Sequence, residues 1–547
     1  MARRKVLPSM LSPNNPPSPP NLDLQPYSGP WDKSRATHLL RRCLFGPGRD
    51  QVQQALSLGL TGTIDQLMTP TLLPDPPVNF NYTADPNVPI GSTWIEAPYT
   101  DNLQNGYRRQ SLRAWTMELM TNQGFSIREK LWLFWHNHFV TGDMNDPKYD
   151  YHYGDLLRRH AMGNFKTLTE EITINPSMLR YLNGNQNTKE APNENYSREL
   201  MELFTLGKGQ QVAPGDYTNY TEDDVVQMAR VLTGWVDRGF NARRDIAITA
   251  EYINNRHDTG TKTLSHRFQN RSISNQGDKE YLSLIGIIFE QPEVARFIVR
   301  KLYRWFLYYT IDEHIEEAII APLAQQLREE NFEIAPVLKT LLSSNHFYDD
   351  EIIGAIIKNP VDFILGSVNQ LEIKPPNDDL EPRYTYYSLL ARAASQQQME
   401  LYNPPDVAGW KAYYQEPVYY RQWINATTLQ QRKVLTDAIA TGASGSGGLN
   451  RILKLDVLKF ISGFSDPKDP NVLITELTEL LLPQPISTGQ HAALKEILIP
   501  GLPDYEWTVE YNDYLENPNN TNLKRSLTTK LANLWQAILA MPEYLLG

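Results

Sequence analysis

One cysteine, Cys43, stands in 547 residues. A lone thiol cannot close an internal disulfide, and it excludes a structural zinc site of the Cys type. Ten histidines leave a His/carboxylate metal site open. No run of 18 apolar residues occurs, so no membrane span is expected. The N-terminus, MARRKVLPSMLSPNNPPSPPN, has basic residues but no apolar stretch behind them, and does not read as a secretory signal. A cytoplasmic setting is the expectation. Positive charge is not in excess either: 52 Lys and Arg against 63 Asp and Glu leave −11. Such a chain has no bulk attraction for nucleic acid or anionic lipid. GxSxG, HExxH, a Walker A loop and GxGxxG after a strand are all missing. ExxE occurs without the ExxH that would follow in a di-iron bundle.

What is present reads as helix. WDKSRATHLLRRCLFG (31–46), with Ser34 as its cap, DQVQQALSLGLTGTIDQLM (50–68), split near Gly59, and RRQSLRAWTMELMTN (108–122) carry helical apolar spacing. SIREKLWLFWHNHFVTG (126–142) starts with Ser126 and Glu129 spaced as a capping box. Residues 71–100 are Pro-rich and aperiodic, a long irregular loop. The segment 237–280 has short β-like alternation, and a small irregular or β insert is expected there. The fold class is therefore mainly α, a large multi-helical body. Residues 1–30, rich in Pro, Asn and Ser, are expected to be extended or disordered. A helical domain over 31–440 follows, then GASGSGG (442–448) as a flexible linker, and a smaller helical part over 449–547 packed on the body.

Chemistry concentrates in PNENYSRELMELFTLG (192–207). Glu199 and Glu202 lie three apart and share a helix face, with Arg198 four before Glu202. They border the stripe of Leu200, Leu203 and Phe204, so at least one carboxylate is expected to be partly buried and to need a cation, a metal or a proton. Glu194 precedes Asn195, a candidate cap. Two readings stand side by side. Arg198, or Arg230 from the next helix, neutralises the pair, with Arg198–Glu202 and Arg230–Glu199 as the natural partners. Otherwise the two carboxylates serve as a general acid/base pair or as metal ligands.

WLFWHNHFVTG (132–142) holds His136 and His138, about 200° apart on an α-helix. They face one metal only if the helix ends between them. The letters H-N-H match a nuclease motif, but that motif needs a β-hairpin, and here both neighbours are helical. NNRHDTGTKTL (254–264) offers His257, Asp258 and Lys262 in turn-like chain, against an ordinary Asx turn. YNPPDVAGWKAYY (402–414) reads as a rigid turn that lays an indole on the body. HLLRRCLFG (38–46) is expected to send Arg41 or Arg42 to a buried acid.

The order HLLRRCLFGP, REKLWLFWHNHF, PNENYSRELMELFTLG, ARVLTGW, RHDTGTKTL, ARFIVRKLYRWF and NPPDVAGW resembles the bacterial family called domain of unknown function 1800. The resemblance covers about residues 31 to 430. It implies no established activity. It implies an exported setting for many members, from which this sequence departs, and a partner from a sulfatase-related family encoded nearby. It marks His136, His138, Asn193, Glu194, Asn195, Arg198, Glu199, Glu202, Arg230, His257, Asp258 and Lys262 for testing.

Two functions are weighed. In the first, an enzyme, His136, Glu199, Glu202, His257 and Asp258 converge as catalytic groups. Asn193, Asn195, Arg198, Arg230 and Lys262 bind substrate. Either a divalent metal on His136, His138, Glu199 and Glu202 activates water, or a carboxylate acts as base without metal. The 29 Tyr and 11 Trp suit a sugar or aromatic ligand. In the second, a non-catalytic scaffold or binding protein, the same side chains form a buried structural network. The deciding geometry is whether the carboxylates meet the histidines across a cavity or meet arginines in a closed core.

Overall fold

The computed structural model describes residues 21–441, 453 and 455–547. The flexible-linker expectation for 442–448 and the expectation for residues 1–20 lie outside the described residues. Residues 21–30 run without helix along the body, where Tyr27 N donates to Ser343 O at 2.7 Å and Asn345 N to Gln25 O at 2.9 Å.

The described fold is mainly α. The first helices are α1 (Lys33–Cys43), α2 (Arg49–Leu67), α3 (Leu103–Thr121), α4 (Arg128–His138), α5 (Pro147–Arg159), α6 (Phe165–Thr173) and α7 (Pro176–Tyr181). Then come α8 (Glu194–Glu199), α9 (Glu222–Val231), α10 (Glu280–Glu290) and α11 (Pro292–Phe306). In α1, Ala36, Leu39, Leu40 and Cys43 recur at helical spacing and are all fully buried. Its cap is Asp32, not Ser34: the Asp32 carboxylate accepts from Arg35 N at 2.9 Å. Gly59 breaks α2 with φ 69°, a left-handed angle that suits glycine. Residues 72–101 form the expected irregular loop, closed by a single bridge between Val78 and Thr93.

Three two-stranded antiparallel ladders are present among the described residues. They pair β1 (Gln211–Ala213) with β2 (Asp216–Tyr217), β3 (Trp235–Arg238) with β4 (Thr249–Tyr252), and β5 (Lys262–Thr263) with β6 (Ser272–Ile273). The last two occupy the expected insert. The first is an additional hairpin just after the PNENYSREL helix.

The C-terminal helices share one apolar cluster with the rest, running from Ala36 to Tyr544. Helix Thr521–Leu539 lies on helix Ala426–Thr441, and Gly547 N donates to Ile356 O at 2.8 Å. Arg41 of α1 donates to Leu482 O at 2.8 Å and Leu480 O at 2.7 Å. That corrects its expected role, because its acceptors are carbonyls and not a carboxylate. Among the described residues, no helix is long and apolar enough to cross a membrane.

The capping box at α4 is also corrected. Ile127 holds the cap position with no side-chain bond, and Glu129 turns inward instead. Its two oxygens each lie 3.0 Å from Arg158 Nε of α5. Arg158 in turn lies between the rings of Trp115 and Trp132, 4.8 and 5.0 Å from their centroids. Both groups are about 1 % exposed, so the ion pair dictates how α4 meets α5. Removing one member leaves the other charged and dry. Glu129→Ala is expected to cost about 3–5 kcal/mol in urea denaturation.

Candidate functional site

The PNENYSREL helix is capped by Asn193, whose side chain accepts from Asn195 N at 3.0 Å, so Asn193 and not Asn195 is the cap. Asn195 Nδ2 in turn lies 3.3 Å from Leu182 O. Both asparagines thus bond main chain. From Leu200 to Thr205 the helix widens into π geometry. Leu206 N and Gly207 N both reach Met201 O at 2.9 Å, a five- or six-residue span that leaves other carbonyls without their usual donors. Side chains supply the missing bonds. Thr205 Oγ1 donates to Leu200 O at 2.6 Å, Lys301 Nζ to Leu203 O at 2.8 Å, and His138 Nε2 to Phe204 O at 3.0 Å. Asn219 Nδ2 donates to Leu206 O at 3.1 Å and to Gly207 O at 3.0 Å.

Since the Phe204 carbonyl only accepts, the His138 proton sits on Nε2, and Nδ1 accepts from Lys301 Nζ at 3.1 Å. Burial pushes the His138 imidazole well below its usual range, with the Lys301 charge as the second cause. Burial also pushes the Lys301 amine down to about 7, helped by Arg304.

His136 is just as fully used. Tyr402 N donates to its Nε2 at 2.9 Å, which places the proton on Nδ1, 3.0 Å from the Tyr153 hydroxyl. Tyr153 passes its own proton to Phe139 O at 2.7 Å. Burial alone pushes the imidazole down to about 3. Neither histidine bonds Glu199 or Glu202. The expected ligand set of His136, His138, Glu199 and Glu202 is therefore not assembled, because all four ring nitrogens are spent elsewhere. Among the described residues, no three His, Cys, Asp or Glu side chains gather so as to hold a metal ion.

The carboxylates divide. Glu202 accepts from the Tyr220 hydroxyl, with Lys208 Nζ at 3.3 Å and Arg198 Nη1 at 3.8 Å. Arg198 pairs chiefly with Glu222, at 2.8 and 3.0 Å, and more loosely with Glu194 at 3.3 Å. Arg230 goes to Asp258, not to Glu199. Its Nε lies 2.7 Å from Oδ2 and its Nη2 3.2 Å from Oδ1, a two-point clamp that holds the Asp258 carboxyl below its usual range. Glu199 has no hydrogen bond or ion pair among the described residues. Burial raises its pKa, and the Glu202 and Asp406 charges add to the rise against Arg198. Asp406 belongs to the NPPDVAGW turn, whose Trp410 N donates to Asn137 Oδ1 at 2.9 Å.

His257, Asp258 and Lys262 form a separate closed group. His257 Nε2 lies 3.0 Å from Glu280 Oε2, and its Nδ1 lies 2.9 Å from Thr233 O. Lys262 Nζ donates to Glu280 Oε1 and to Asp258 O. The His257, Glu280 and Lys262 side chains are all 0 % exposed. They tie the insert to α10, and no contact joins them to Glu199 or His136.

Four residues escaped the sequence reading. Glu280 and Lys301 carry the two buried networks, yet each looks locally like a solvated helix charge. Asp406 sits in a turn read only for its indole. Asp150 of α5 is the fourth: its Oδ1 is buried without a partner, and burial, then the Asp143 charge, push the carboxyl well above its usual range. A first-turn acid in PKYDYHYGD gives no local sign of this.

A family model described as Protein of unknown function (DUF1800) matches residues 38–546, and the chain belongs to that family. No curated protein and no solved structure matches.

Lys301 generates a pH dependence. Its folded pKa lies below the ordinary lysine value of 10.5, so between about 7 and 10.5 the unfolded chain binds the extra proton. Its contribution to stability therefore rises with pH through that window and is lost as pH falls toward 7. Lys301→Met is expected to flatten this slope in denaturation midpoints measured at pH 7, 8 and 9; an unchanged slope assigns it to another group.

Proposed function

We propose that this member of the DUF1800 family is a non-catalytic helical binding protein whose His/Glu/Arg network is its frame. One observation carries the reading: both ring nitrogens of His136, His138 and His257 are engaged inside the protein. A hydrolytic metal needs imidazole nitrogens with a free lone pair, together with an open coordination position. The two-point Arg230–Asp258 clamp and the Glu280 bridge support the same reading, since their charges are consumed pairwise. A sulfatase-related protein remains the partner proposed from the resemblance, with co-purification as its test.

A second reading has one observation in its favour, the free carboxyl of Glu199. Raised by burial and by two neighbouring acids, it suits a general acid or base acting without metal. Tyr181, whose hydroxyl is influenced by both Glu199 and Asp406, stands beside it.

The readings separate by experiment. On the frame reading, Glu280→Ala strands Lys262 and His257 in a dry interior and is expected to cost about 3–5 kcal/mol by urea denaturation. Glu199→Gln, which breaks no bond, is expected to shift stability by less than about 0.5 kcal/mol. Prolonged chelation is expected to leave the melting temperature unchanged. A hydrolytic turnover found by substrate screening and lost at least about 100-fold in Glu199→Gln, with unaltered melting, overturns the frame reading in favour of the second.

A further inference from the structure

Arg41 and Arg42 of α1 point to a different site. They line a cavity with Lys130, at the start of α4, and with Lys358, Trp305 and Tyr420. About 580 Å³ of atom-free space lies in and in front of it, open solvent included. Arg41, Arg42, Lys130 and Lys358 are 9, 5, 4 and 8 % exposed. The only acidic side chain in the lining is Asp362, which Lys130 contacts. Gly547, the last residue of the sequence, also lines it, so its terminal carboxylate joins Asp362, and four cations against two carboxylates leave 4 − 2 = +2.

Among the described residues, Arg41, Arg42 and Lys358 form no ion pair and end on carbonyls instead. Arg41 bonds the carbonyls of Leu480 and Leu482, Arg42 that of Ile352 at 3.0 Å, and Lys358 that of Tyr544 at 2.9 Å. Carbonyls satisfy N–H groups but carry no charge. Burial accordingly pushes both guanidinium pKa values down to about 10, and the Lys358 amine well below its usual range. Several buried donors have no acceptor at all: Arg41 Nε, Arg42 Nε, Trp305 Nε1 and the Tyr420 hydroxyl. Arg432, which donates to Lys358 O at 2.7 Å, adds two more unpaired nitrogens. Buried charges are tolerated when paired, and buried donors when bonded. One ligand answers both needs.

We infer that this cavity binds a small oxyanion carrying at least two negative charges, either a phosphate group or a di- or tricarboxylate, held by Arg41, Arg42 and Lys358 with Trp305 as a neutral donor. The inference rests on the binding reading for its functional meaning, since it names what is bound.

The test is calorimetric titration and thermal melting of the full chain with inorganic phosphate and with citrate. Sodium chloride at matched ionic strength is the control. Saturable binding of either anion, with a melting rise that chloride does not reproduce, is expected; which of the two binds identifies the source. Trp305→Phe keeps an aromatic ring against Tyr413, whose centroid lies 4.5 Å from that of Trp305, and removes the indole N–H along with the five-membered ring that carries it. It is expected to weaken binding about tenfold, with anion-free melting lowered by the lost packing and the anion-induced rise read against that new baseline. Lys358→Met is expected to abolish most of the anion-induced shift while leaving anion-free melting equal or higher. A merely structural lysine gives the reverse, lower melting with the anion response intact. No saturable binding of either anion at millimolar concentration, or undiminished binding in Trp305→Phe, overturns the site, and the second arm decides even if Lys358→Met does not fold. Turnover dependent on Glu199 overturns the binding reading and leaves the anion site standing. Loss of the anion site leaves the frame standing.

Discussion

The structure turns on the carbonyl groups that the π segment Leu200–Thr205 and the helix end behind it, through Gly207, leave without helical donors. A buried carbonyl left dry costs about as much as a lost hydrogen bond, so each must be met from elsewhere in the chain. His138 arrives from α4, Lys301 from α11 and Asn219 from the chain just after β2. The three elements are thereby locked around one helix end. This accounts for why FWHNHF, ELMELFTLG and RKLYRWF occur together: each supplies a part the others need. His138, Lys301 and Asn219 serve the main chain.

The same preference recurs through the molecule. Arg41, Arg42, Lys358 and Arg432 all end on carbonyl oxygens, while Glu129–Arg158 and Glu280–Lys262 are closed carboxylate pairs. Bonding a cation to carbonyls fixes geometry without cancelling charge. Bonding it to a carboxylate does both. The interior therefore holds two kinds of cation. One is neutralised and belongs to the frame. The other gathers at one cavity and leaves a net positive interior in an acidic protein.

Helix placement was legible because apolar spacing is a local property, as Ala36, Leu39, Leu40 and Cys43 illustrate. So was the Arg198–Glu202 contact, set by a four-residue interval, although Glu222 takes the larger share of Arg198. What was not legible depended on distant partners. Glu129 has the spacing of a capping box, but a buried guanidinium outbids one backbone donor. The π geometry has little local signature, since apart from Thr205 the donors that meet its carbonyls come from distant parts of the chain. Arg230 was matched to the wrong acid because Asp258 approaches it only once the insert folds back. The polar cluster read as one site is in fact several: the π-segment frame, the His136 aromatic pocket, the His257 bridge, and Glu199 by itself.

Arg41 carries one more consequence, for synthesis of the chain. Its two carbonyl acceptors lie 441 and 439 residues away. During translation α1 is complete long before residues 480–482 leave the ribosome. Throughout that interval its apolar face has α2 as a neighbour, but its guanidinium has no final acceptors. Closing so long a loop comes late and carries a large entropic cost. The α1 contacts to Leu480 and Leu482 are therefore among the last to form.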